Sequence, residues 1–254
     1  MAGLRFGSQW QRGRLEVGVA GGEPEQVTRD PANEFANDWS PDGQEIVFHA
    51  IRGATSRDVL IVSADGTRTS VVAATAAEEQ HGSWSADGNG IAFSSGPGPR
   101  DMYNVAVTLR AGKDSPWGAP RQLTSVSGVD PKWSPDGRHI VYTRRGEVWL
   151  MSSDGRGNHA VFTRSKGDQL LAQYAIWSTD SRTIYFKASD DEGRATIWAV
   201  QAEGGPPRLL VRFDDRSRPS LRREFATDGS RFFFTIAQDE SDIWVAEVSS
   251  GPQR

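Results

Sequence analysis

Cysteine is absent from the 254 residues, which excludes disulfides, thiolate metal centres and cysteine nucleophiles and leaves the redox compartment open. An excess of one charge sign is also lacking. The 29 basic and 33 acidic residues give a net charge of −4, so no overall field draws the chain to nucleic acid or to an anionic membrane. No apolar run approaches the roughly 18 residues of a membrane span. The most apolar stretch, Val71 to Ala77, is seven residues long and includes Thr75. Met1-Ala-Gly-Leu-Arg-Phe6 lacks the basic-then-apolar layout of a secretory signal. No G-x-S-x-G elbow is present, and the four histidines (His49, His81, His139, His159) show no i, i+3 or i, i+4 pairing for a metal. The expectation is therefore no catalytic residue, no metal, no cofactor and no direct membrane insertion.

Helix breakers and aromatics are abundant: 27 Gly, 13 Pro and 9 Trp. Gly costs a helix about 1 kcal/mol and Pro about 3, so a mostly helical fold is excluded. Comparing the chain with itself supplies the reason for this composition. Trp39-Ser-Pro-Asp-Gly43 recurs as Trp84-Ser-Ala-Asp-Gly88, Trp133-Ser-Pro-Asp-Gly137, Trp177-Ser-Thr-Asp-Ser181 and Phe225-Ala-Thr-Asp-Gly229, at steps of 45, 49, 44 and 48 residues. Each copy leads into a β-branched or aromatic run, such as Glu45-Ile-Val-Phe48 or His139-Ile-Val-Tyr142. A second run follows: Asp58-Val-Leu-Ile-Val62, Asp101-Met-Tyr-Asn-Val105, Glu147-Val-Trp-Leu-Met151, Thr196-Ile-Trp-Ala-Val200 and Asp242-Ile-Trp-Val-Ala246. Asp-Gly or Gly-Gly turns and a shorter run close most units. These read as four antiparallel strands per repeat. One such sheet cannot bury both faces alone, whereas copies stacked in a ring can.

The sequence thus predicts an all-β chain: a six-bladed β-propeller of four-stranded antiparallel blades, ragged at the first and last blade. The boundaries are 1–28 for a partial first blade, then 29–73, 74–124, 125–165, 166–213 and 214–254. Leu4 to Ser8, Arg14 to Val19 and Glu25 to Thr28 match the last three strands of a unit whose first strand is missing, and the last unit has no clear fourth strand. Ragged ends favour a segment of a longer protein over an imperfectly closed ring.

The Trp-Ser-Pro-Asp-Gly anchors, the aromatic second runs and the Asp-Gly turns resemble the TolB-like propeller repeat, in five in-phase copies over nearly the whole chain. The stretch Ser217 to Val245 is also similar to the propeller tails of bacterial transmembrane Ser/Thr kinases. Ser181 in place of Gly and Phe225 in place of Trp depart from the pattern at positions that tolerate them. The resemblance implies a periplasmic or extracytoplasmic, non-catalytic scaffold that binds a protein or peptide segment, and a monomer with no nucleic-acid partner. The alternatives are the sensor portion of a receptor kinase and a propeller enzyme such as a glycosidase, which would need an inward carboxylate pair, best supplied by Glu34 and Glu79.

The anchors Trp39, Trp84, Trp133, Trp177 and Phe225 are expected between blades. Asp42, Asp87, Asp136, Asp180 and Asp228 are expected to accept backbone N–H groups in the following turns. Trp149, Trp198 and Trp244 read as blade core, whereas Trp117 sits in an insertion, Arg110 to Pro120, as a contact point or folded back. The acidic pairs at Asp190 to Glu192 and Asp214-Asp215 read as solvated loops. Function is expected at the channel mouth, where the blade-to-blade crossings pass. Those crossings carry Glu34, Asn37, Glu79, His81, Asp130, Tyr174, Arg218 and Arg223, a mixed-charge set suited to a peptide.

Overall fold

The structure is a computed structural model that describes residues 15–16, 25–28, 32–52, 56–98, 102–164, 170–215, 219–220, 222–236 and 242–247. They form six antiparallel sheets. The first pairs β1 (Leu15–Glu16) with β2 (Glu25–Gln26). The second comprises β3 (Asn33–Trp39), β4 (Glu45–Arg52), β5 (Ser56–Ser63) and β6 (Thr69–Ala73). The third comprises β7 (Glu78–Trp84), β8 (Gly90–Gly96), β9 (Asn104–Leu109) and β10 (Arg121–Gln122). The fourth runs β11 (Val129–Trp133), β12 (His139–Arg144), β13 (Glu147–Ser152), β14 (His159–Phe162). The fifth runs β15 (Leu171–Trp177), β16 (Thr183–Ser189), β17 (Ala195–Gln201), β18 (Arg208–Arg212). The sixth holds β19 (Phe225–Thr227), β20 (Arg231–Ile236) and β21 (Asp242–Glu247). In each sheet the strands lie side by side in chain order. The stretch Leu4 to Ser8 and the chain beyond Glu247 lie outside the described residues.

One boundary differs from the sequence expectation. The third strand of the third sheet starts at Asn104 rather than Asp101, and Met102 is exposed. The apolar residues Val105, Ala106 and Val107 carry the pairing to β8 and are buried.

Why the repeat reads Trp-Ser-x-Asp-Gly is visible in its turns. The Ser hydroxyl donates to the Asp carboxylate: Ser40 to Asp42 at 2.7 Å, and Ser85, Ser134 and Ser178 to Asp87, Asp136 and Asp180 at 2.6 Å. The same Ser oxygen accepts the N–H of the residue that opens the next strand, at 2.7–2.9 Å for Glu45, Gly90, His139 and Thr183. Asp oxygens accept the N–H two residues on, as from Gln44, Asn89, Arg138 and Arg182. Glycine follows because φ is positive there, +67° at Gly43 and +75° at Gly137, and Ser181 adopts +61°. The hydrogen bonds hold these carboxylates ionised. Asp42 is drawn down to about 2, by Lys113 first and then Ser40. Ser85 and Ser178 lower Asp87 and Asp180. Because these pKa values are depressed, the stabilisation is full above the unfolded value of 3.8 and is lost as pH falls below it.

Five apolar clusters fill the spaces between successive sheets. The anchors Trp84, Trp177 and Phe225 are buried, at 4%, 6% and 3% exposure, whereas Trp39 and Trp133 are partly buried. Trp177 also donates Nε1–H to the Lys132 carbonyl of the preceding sheet at 3.0 Å. Trp149 and Trp198 are partly buried against the clusters, and the Trp244 side chain lies outside the described set. The insertion folds back: Trp117 tilts against Trp84, ring centroids 5.8 Å apart, with the Arg110 guanidinium over both rings. Arg110 donates to Glu45 Oε2 at 2.9 Å and Lys113 to Asp42 at 2.5 Å, so the loop clamps the third sheet onto the second.

A polar contact between neighbouring sheets also repeats. The residue ten after an anchor lies against the residue three before the next anchor. His49 Nδ1 is 3.4 Å from the His81 nitrogen, Ser94 Oγ accepts the Asp130 N–H at 3.0 Å, and Lys187 Nζ donates to the Arg222 carbonyl. Lys187 is 1% exposed, donates also to Ser220 Oγ at 2.6 Å and lies over Phe213. Burial pulls its pKa down from 10.5 to about 8.

Two outcomes follow for stability. Trp177→Ala should cost about 3–5 kcal/mol and Trp177→Phe, which keeps most of the burial, about 1–2, read as urea midpoints; equal losses would remove the indole bond from the account. For Lys187, whose folded pKa is depressed, the cost of the buried ammonium is present below pH 8 and is relieved as pH rises toward 10.5. Wild type should therefore gain on Lys187→Met between pH 7 and 10. A difference in midpoint that stays constant over that interval contradicts the assignment.

Candidate functional site

The first strands β3, β7, β11 and β15 lie innermost, and each carries a bulge at the corresponding place. The register shifts fall between Ala36 and Asp38, Gln80 and Ser83, Val129 and Lys132, and Ala172 and Tyr174. A bulge re-aims side chains relative to the pleat, and Asn37, His81 and Asp130 at three of these irregularities make contacts between sheets. His81 and Asp130 sit at these bulges with φ of +60° and +54°. The other two described non-glycine residues with positive φ, Arg145 and Ser181, are in turns. Left-handed backbone within a strand is strained for a residue with a Cβ. Beside His81, Gly82 is required for packing, since a Cβ there would lie 2.6 Å from Val47 Cγ2.

Residues from three sheets meet at the axis. Arg223, two residues before β19, donates from Nη1 to Asp130 Oδ2 at 2.6 Å and from Nη2 to His81 Nε2 at 2.8 Å. Its Nε donates to the neighbouring Glu224 at 3.0 Å. A guanidinium only donates, so His81 Nε2 is an acceptor and the ring proton resides on Nδ1, 3.1 Å from Asp130 Oδ1. Asp130 is wholly buried. Removing Arg223 would take a hydrogen-bonded cation from that buried carboxylate, and breaking a buried pair costs about 3–5 kcal/mol.

A second bridge spans the axis beside the first. Lys132 of β11 donates to the Asn37 carbonyl of β3 at 3.2 Å and lies 5.6 Å from the Tyr174 ring centre. Burial opposes the Lys132 ammonium, but Tyr174, Asp38 and Asp130 outweigh it and raise its pKa. Burial likewise pushes the Tyr174 hydroxyl up to about 12, so it stays protonated. Asn37 Oδ1 accepts the Gly82 N–H at 3.2 Å and lies 3.0 Å from His49 Nδ1. Phe35, 42% exposed, stacks on His49 at 4.9 Å and gives the polar cluster one apolar lip.

The crossings therefore bring together Asn37, His81, Asp130, Tyr174 and Arg223. Two expected members stand apart. Glu79 is fully buried, and its carboxylate is taken by the hydroxyl and N–H of Thr75, with burial raising its pKa. Glu34 accepts a hydrogen bond from Thr28 Oγ1. Arg218 lies outside the described residues. His49 and Ser94, outside the crossings, belong to the cluster too, as do Asp38, Lys132 and Glu224, which lie in the crossings but were not singled out. The signal for the first two was available: each lies ten residues after its anchor, as Lys187 does. The acidic loops are explained by Arg194, which pairs with Asp190 at 2.9 Å, Glu192 at 2.8 Å and Asp214 at 3.4 Å. Among the described residues no three His, Asp or Glu side chains are placed to hold a metal ion.

No protein-family model matches the chain. An uncharacterized protein of Agrobacterium fabrum, Atu1656, is 24% identical over 122 residues, 48% of this chain and 40% of that protein. Among solved structures, TolB from Acinetobacter baumannii superposes with a TM-score of 0.73 at 12% identity, over 92% of this chain and 56% of TolB. A Mycobacterium tuberculosis puromycin-hydrolyzing peptidase superposes with a TM-score of 0.68 at 13% identity, over 95% of this chain and 41% of the peptidase. The chain thus matches less than two thirds of each of these proteins' lengths. At such identities the likeness speaks to fold alone, and the fold is that of the TolB-like β-propellers.

Proposed function

We propose that the chain is a six-bladed propeller acting as a non-catalytic, extracytoplasmic binding module, with a peptide or protein segment seated at the axial cluster. The observation that carries this reading is the pair of cation bridges laid across the axis, Arg223 to Asp130 and His81, and Lys132 to Asn37. They place side-chain donors and acceptors of both signs beside the exposed ring of Phe35. A peptide offers the matching mixture of backbone polar groups, charges and apolar side chains; a polyanion would meet Asp38 and Glu224. The glycosidase alternative is disfavoured because Glu79 has no exposed surface and its carboxylate is occupied by Thr75.

Selection of peptides from a random phage-displayed library on the immobilised chain, followed by calorimetry of the enriched sequences, tests the assignment. Phe35→Ala and Arg223→Glu should each weaken the selected peptides about tenfold or more, as expected when a group at the centre of an interface is lost. Circular dichroism of both variants checks that they fold. Peptides that bind both variants as tightly as wild type would place the site elsewhere.

A further inference from the structure

The geometry points to Lys187 as a positioning residue for the axial cluster: from the fifth sheet it does for residues 222–224 what a strand ladder does in the other sheets, and so sets where Arg223 meets Asp130 and His81. Its bearing on ligand binding rests on the peptide site proposed at that cluster.

The need for such a residue follows from where the first strands end. In the second to fifth sheets the first strand ends at the anchor: β3 at Trp39, β7 at Trp84, β11 at Trp133 and β15 at Trp177. Asn37, His81, Asp130 and Tyr174 are therefore carried on strands. In the sixth sheet β19 begins at its anchor, Phe225, and residues 222–224 are not in a strand. Among the described residues no backbone–backbone hydrogen bond holds 219–220 or 222–224. Backbone groups that no ladder holds must be satisfied and placed by side chains or water.

Lys187 supplies the contact. Its Nζ donates to the Arg222 carbonyl and, at 2.6 Å, to Ser220 Oγ, which donates in turn to the Thr235 carbonyl of β20 at 2.7 Å. The Arg222 carbonyl belongs to the planar peptide unit that also contains the Arg223 nitrogen and Cα. Fixing that oxygen fixes the root of the Arg223 side chain. The equivalent position acts in the same way in two earlier sheets. His49 Nδ1 lies 3.4 Å from the His81 nitrogen, and Ser94 Oγ accepts the Asp130 N–H at 3.0 Å. Each contact falls on the backbone of a residue whose side chain enters the cluster.

Packing alone does not call for an ammonium here. Lys187 is 1% exposed, and the opposite charge that acts on it, Glu224, is engaged by Arg223 Nε at 3.0 Å. Buried charge is costly, and an apolar side chain of similar volume is often neutral or better. A methionine in its place would pack, but would hold neither the carbonyl nor the hydroxyl, whereas an ammonium has three donors.

NMR of isotopically labelled histidine nitrogens tests the assignment through His81 Nε2, the atom that accepts the Arg223 N–H. At one fixed pH, Arg223→Ala marks the resonance position without that hydrogen bond. Lys187→Met should move the resonance at least about half of the way to that mark, and should add almost nothing in the Arg223→Ala background. The lost lysine charge acting through space would add equally in both backgrounds, so the comparison separates positioning from electrostatics. An unmoved resonance in Lys187→Met, or equal displacements in the two backgrounds, overturns the inference. Circular dichroism checks folding; if Lys187→Met does not fold, Lys187→Gln, shorter and uncharged, is read in the same way. Peptides selected on wild type report separately. A loss of affinity of about threefold or more in Lys187→Met, together with the displaced resonance, supports both the positioning and the peptide site. A displaced resonance with unchanged affinity supports the positioning and faults the peptide reading at Arg223.

Discussion

The four four-stranded sheets are apolar on both faces, and the described residues include no α-helix to cover either. That constraint shapes the rest of the molecule. A four-stranded sheet such as β11 to β14 can bury Ile140, Tyr142 and Met151 on one side only by meeting the third sheet, and Val141, Val148 and Leu150 on the other only by meeting the fifth. Packing successive sheets face to face brings the first strands β3, β7, β11 and β15 against one another in turn. Each of these strands carries a register shift, at Asn37, His81, Asp130 and Gln173. The polar cluster is thus a by-product of how apolar faces are shared.

The same constraint explains what could be read from the sequence. Anchors repeat because every sheet meets its neighbours in the same way, and Ser and Asp repeat because each turn presents the same unpaired N–H groups. Turn hydrogen bonds are local, within five residues, so their residue types are written plainly in the chain. The insertion at Trp117 was legible as an insertion, but its fold-back depends on Arg110 meeting Trp84 and Glu45, the latter 65 residues away. No local pattern records such a contact.

The axial site was legible only as a region. The crossings pointed to Asn37, His81, Asp130, Tyr174 and Arg223, and those residues converge. Glu79 was misplaced because strand alternation does not register a bulge two residues downstream, between Gln80 and Ser83. The side chain on the buried side of that irregularity cannot be told from one on the axial side. Lys132 was missed for a related reason. It directly precedes an anchor Trp, where the other repeats have Asp38, Ser83, Ile176 and Glu224, so the position has no consensus to depart from.

That variability is itself informative about how the axis is held. Of the positions just before the anchors and three before them, Asp38, His81, Asp130 and Lys132 come together, whereas Ile176 packs in the apolar cluster between the fifth and sixth sheets. In a symmetric ring, identical residues there would put like charges or like dipoles against one another. A carboxylate on every innermost strand would be mutually repulsive, and a lysine on each equally so. Different residues at equivalent positions allow Asp130 to be matched by Arg223 and Asp38 by Lys132 across the axis. Burying charge is tolerable only when each has a partner in good geometry, and in sheets built from one repeat that condition can be met only by breaking the repeat. The anchors therefore conserve the architecture within the chain, while the departures from symmetry at its centre give the axis a chemistry of its own.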